Sequence, residues 1–141
     1  MFVEENSILD IVVYYKKIGL HYSAYPEPEF EALDEIQSKK DTYKKVTIKM
    51  KELNWGLYND LHERAIVEDE NGNRKFNYSK YKEVRLMRLI TSWDATVMKD
   101  GKEIPVPVTE KNIKGLAPDI AEAIIEAYDK KVYVSEDEEG N

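Results

Sequence analysis

Val46-Thr47-Ile48-Lys49-Met50 alternates apolar and polar residues one for one. Successive side chains of a strand point to opposite faces, so Val46, Ile48 and Met50 would share a buried face while Thr47 and Lys49 meet water. What flanks this strand decides the fold class. Downstream, residues 54–131 carry helical patterns; upstream, the first 45 residues hold a strand-like segment and proline breaks. The expected architecture is α+β and mostly helical: a small strand-containing N-terminal part followed by a three-helix region. Residues 1–134 read as a single domain and residues 135–141 as an acidic flexible tail.

Asn54 suits the N-cap of a first helix over residues 55–67, in which Trp55, Tyr58, Leu61 and Ala65 fall on one face. Asn71-Gly72 marks a turn. A second helix is predicted over 78–93, with Leu86, Leu89, Ile90 and Trp93 as its apolar stripe and Lys82, Arg85 and Arg88 beside it. Residues 94–108 read as a connection containing the turn Asp100-Gly101; Pro105 and Pro107 make its end extended and poor at pairing inside a sheet. Thr109 can cap Lys111 or Asn112, and Gly115 interrupts that short helix. The last helix starts near Pro118 and Asp119, with Ile120, Ala121, Ile124, Ala127 and Tyr128 as its apolar face and Lys130 and Lys131 at its C-terminal end.

Upstream, residues 8–15 are rich in β-branched and aromatic residues and fit either a strand or a short buried helix. Tyr25-Pro26-Glu27-Pro28 breaks regular structure. Phe30, Leu33 and Ile36 suggest a helix over 30–40. Tyr14, Tyr15, Tyr22 and Tyr25 crowd a short, proline-interrupted region and could form a docking surface.

The chain has 141 residues, 42% hydrophobic and 35% charged, with no cysteine and a net charge of −7. That length can bury a core. The lack of cysteine excludes disulfide scaffolds, thiol catalysis and cysteine-based zinc sites. A negative chain is a poor partner for nucleic acid, whose backbone selects basic surfaces. The lysines at 39, 40, 44, 45, 49 and 51 read as a solvated face. No apolar run approaches the length of a membrane span, and residues 1–10 lack the basic start of a secretory leader.

Catalytic patterns are missing. His21 and His62 are far apart and in no metal-binding spacing. Asp69, Asn71 and Asn73 imitate the start of a calcium loop, but Arg74 stands where glycine belongs and Lys80 where glutamate belongs. Phosphate loops and nucleophile elbows are absent. The expectation is a non-enzymatic protein without metal or cofactor.

From residue 46 onward a series of elements follows in order. A strand runs into Leu53-Asn54-Trp55-Gly56; Val67-Glu68-Asp69-Glu70-Asn71-Gly72-Asn73 follows; then come Ile90-Thr91-Ser92-Trp93-Asp94, Pro107-Val108-Thr109-Glu110, Asn112-Ile113-Lys114-Gly115-Leu116-Ala117-Pro118-Asp119 and a closing amphipathic helix. This order over residues 46–131 resembles tail assembly chaperones of tailed bacteriophages and prophages; residues 1–45 fall outside the resemblance. It implies a protein of the infected bacterium's cytoplasm that binds the tape measure protein, helps recruit tail tube protein and is usually absent from the finished virion. The alternative is a structural tail or baseplate component retained in the virion. No nucleic-acid or membrane partner is expected; a homo-oligomer is compatible. The expected partner-binding residues are Trp55, Tyr58, Leu61, Trp93, Ile120, Ile124 and Tyr128, with Trp55, Tyr58, Leu61 and the Ile120/Ile124/Tyr128 face lining an apolar groove.

Overall fold

A computed structural model describes residues 1–33 and 40–133. Its centre is a four-stranded antiparallel sheet in the order β2-β1-β3-β6. Strand β1 (Ile8–Ile18) turns through Gly19-Leu20 into β2 (His21–Pro26), and β3 (Lys44–Lys51) lies on the other side of β1. Gly19 has φ +60°, the value that the first position of a tight II′ hairpin turn requires. The alternation read at Val46 holds: Val46, Ile48 and Met50 are buried and pair with Val13, Ile11 and Leu9 on the same face.

Helices cover that face, except the first and short one, whose Phe30 stacks on Tyr14 of the other face. After β2 comes the short α1 (Glu27–Ala32), and after β3 come α2 (Trp55–Arg64) and α3 (Tyr78–Leu89), whose N-caps Asn54 and Asn77 accept from the amides of Leu57 and Lys80. Between them, β4 (Ile66–Glu68) and β5 (Arg74–Phe76) make a small hairpin. The Asp69 carboxylate at its turn accepts from the backbone of Asn71 and Asn73. Strand β6 (Ile90–Trp93) follows α3 directly. Then come the hairpin β7 (Thr96–Lys99) and β8 (Lys102–Pro105), the short α4 (Glu110–Lys114) capped by Thr109, and α5 (Pro118–Val132). Helix α5 packs on β1 and β2, and the Tyr128 hydroxyl donates to the Lys51 carbonyl at 2.9 Å.

The mostly helical expectation is wrong. Among the described residues there are eight strands and five helices, and the sheet organises the core. The decisive difference is at Ile90. The helix predicted over 78–93 stops at Leu89, and Ile90 adopts ψ 123°. Residues 90–93 then pair with β3 and complete the sheet, with a bulge between Lys49 and Met50. The helix predicted to reach residue 67 ends at Arg64, because Ile66–Glu68 is held by Arg74–Phe76. The connection predicted over 94–108 forms a hairpin, with Pro105 at its end, where no inward ladder amide is needed. Helix α1 ends at Ala32; the remainder of the helix predicted over 30–40 lies mostly outside the described residues, as does the tail 135–141.

Candidate functional site: an apolar cleft beneath a projecting hairpin

The β7–β8 hairpin stands away from the core. All eight of its strand residues are exposed, including Val97, Met98 and Ile104. Its tip, Asp100-Gly101, has φ +53° and +76°, the left-handed pair that a two-residue I′ turn requires. An isolated two-stranded hairpin is marginal in water, so its root is where order comes from. The Trp93 indole N–H donates to the Val106 carbonyl, and the Val106 amide donates to the Ala95 carbonyl at 2.9 Å.

Beneath this root lies a cleft of about 300 Å³. Val46, Ile48 and Trp93 of the sheet form its floor; Leu116, Ala117, Ile120 and Ile124 form the helical wall; Thr96, Val97 and Val106 form the hairpin wall. Tyr15 and Tyr22 close one side, with ring centroids 6.1 Å apart. Burial raises the pKa of the Tyr15 hydroxyl, reinforced by Tyr22 and by the negative fields of Asp94 and Glu103. Asp119, at the start of α5, accepts from the Tyr22 amide at 3.4 Å. Among the described residues Asp94, Glu103 and Asp119 make no ion pair.

No protein-family model, curated protein or solved structure matches this chain.

The expected partner-binding residues separate into three groups. Trp93, Ile120 and Ile124 come together at the cleft, although Ile124 is almost wholly enclosed. Leu61 and Tyr128 have no accessible surface, so the groove expected between their helix faces does not exist: those faces meet the domain's own core. Trp55 and Tyr58 lie elsewhere, stacked 5.8 Å apart at the start of α2, with Trp55 75% exposed. Tyr58 continues through His62 (4.1 Å) to Phe76 and Tyr81, an aromatic row joining α2, β5 and α3. The tyrosines divide by strand parity. Tyr15 and Tyr22 line the cleft, whereas Tyr14 stacks on Phe30 at 4.3 Å and Tyr25 neighbours the same ring on the opposite sheet face.

Val97, Val106 and Leu116 also line the cleft, and none of them is among the partner-binding residues expected from the sequence. The two valines sit in the stretch 94–108, whose sequence reads as a connection, and Leu116 follows Gly115, which interrupts the short helix. The Asp100-Gly101 turn flanked by Val97 and Ile104 was the available hairpin signal.

Proposed function

We propose that this chain is a non-enzymatic assembly chaperone of a bacteriophage tail, one that holds the tape measure protein in soluble form while tail tube protein assembles around it. The observation that carries the reading is the cleft with its projecting hairpin. Apolar side chains from sheet, helix and hairpin converge there, and exposed Val97 and Ile104 extend the strip outward. A large apolar side chain leaving water gains about 1.5–3 kcal/mol, so one or two residues of a partner inserted there supply useful, reversible affinity. Reversibility suits a chaperone that must release its client. The −7 net charge favours dispersal of the complex. The ordered motifs between residues 46 and 131 support the choice of client; the sheet-centred fold corrects the helical picture that came with them.

Co-expression with the tape measure protein encoded in the same genome tests the reading. The expected result is a soluble complex recovered through either partner. Unchanged client solubility with no complex defeats it. A structural tail component would instead be found by mass spectrometry in purified virions.

A further inference from the structure

The cleft is bordered by carboxylates that make no ion pair among the described residues. Asp94 follows the floor strand, Glu103 lies on the hairpin, and Asp119 begins the helical wall. Asp94 accepts from the Thr47 amide at 2.8 Å and Asp119 from the Tyr22 amide; both contacts fix the carboxylate without cancelling its charge. Lys44 and Lys17 pair with Tyr15 and Tyr22 in the ladders, which places two cations on the sheet side of the mouth. On the hairpin-and-helix side stand Asp94, Glu103 and Asp119, while the lysines of the hairpin, Lys99 and Lys102, pair with each other beside its tip.

We propose that the cleft takes a polypeptide segment presenting one large apolar side chain with a lysine or arginine within a few residues of it, the apolar group seated against Trp93 and Ile120 and the cation set against Glu103, Asp94 and Asp119. This rests on the chaperone reading of the same site and adds the chemistry of the segment recognised. The volume sets the first half. About 300 Å³ holds one or two large side chains, not the face of a whole helix. The unpaired carboxylates set the second, because an acidic neighbour would meet like charge and an uncharged one would leave the fields uncompensated. Both signs at the mouth also orient the segment, with its basic residue toward the hairpin.

A random-peptide library displayed on filamentous phage, selected on the full-length chain, tests this. The expected outcome is enrichment of peptides with a large apolar residue flanked by lysine or arginine. The synthesised consensus should bind about tenfold or more weakly to Thr96→Trp, whose exposed position on the hairpin wall lets the indole fill the cleft without disturbing the core. Glu103→Gln should weaken binding by a smaller factor and flatten its salt dependence. Enrichment of acid-flanked or uncharged peptides, no enrichment, or indifference to Thr96→Trp overturns the proposal. The two readings fail separately. Basic-flanked peptides that bind the cleft while the tape measure protein does not would sink the client assignment alone. A tape measure complex alongside acid-flanked peptides would sink the recognition chemistry alone.

Discussion

The indole N–H of Trp93 and the carbonyl of Val106, thirteen residues apart, are joined by a hydrogen bond that ties the projecting hairpin to the last strand of the sheet. Trp93 is thus both floor of the cleft and anchor of its wall. Trp93→Phe keeps an aromatic floor and removes the donor. It should cost about 1 kcal/mol locally, seen as roughly fivefold faster amide exchange in the hairpin, with little change at the buried strands. Equal effects throughout the sheet would show that the bond holds the domain and not the hairpin.

Arg85 is nearly fully buried, forms a two-pronged contact with Asp129 and lies between the rings of Tyr81 and Tyr128, 5.3 and 5.5 Å from their centroids. Burial disfavours its charge, but the bonds and field of Asp129 outweigh it, so the pKa is raised. Its Nε has no partner among the described residues. Asp129→Ala should destabilise by about 3 kcal/mol, because it strands a buried cation; Arg85→Met, which removes the charge itself, should cost less. Urea denaturation of the two variants distinguishes these outcomes.

Tyr128 supplies a pH test. Burial is the main cause of its strongly raised pKa, and Tyr15, Tyr81 and Tyr133 shift the same way. The folded state therefore holds these protons at a pH where the unfolded chain, titrating near 10, has released them. Their contribution is fully present below pH 10 and is lost as pH rises through the folded values. Melting temperature should fall steeply above pH 10. Tyr128→Phe should melt lower at neutral pH, for loss of the Lys51 bond, and show a shallower alkaline decline.

Asn77 caps α3 through the Lys80 amide at 2.8 Å, and Asn77→Ala should cost about 1 kcal/mol in a denaturant titration. A neutral result would mean that the aromatic row against Phe76 and Tyr81, not the cap, fixes where the helix starts.

Local signals in this sequence were readable. The alternation from Val46 to Met50, the caps at Asn54 and Thr109 and the start of the last helix at Pro118 each depend on near neighbours. Non-local pairing was not. Ile90 and Trp93 satisfy a helical three-residue step; in the strand they share a face only through the bulge at Lys49/Met50, which pairing with the edge of β3 creates. Strand β2 was hidden by Pro26, which closes the strand, and by Pro28, which sits in the first turn of α1. The site shows the same limit. Helical spacing correctly grouped Ile120, Ile124 and Tyr128 on one face but could not say that Tyr128 meets Lys51 while Ile120 borders a cleft.

The proposed function stands or falls on whether the client binds in the cleft. The most direct measurement is recovery of tape measure protein co-expressed with the wild-type chain, with Thr96→Trp and with Trp55→Ser as a control on the exposed aromatic row. A complex should form with the wild type and with Trp55→Ser, and be lost with Thr96→Trp at unchanged melting temperature. Full recovery with Thr96→Trp would put the client somewhere other than the cleft.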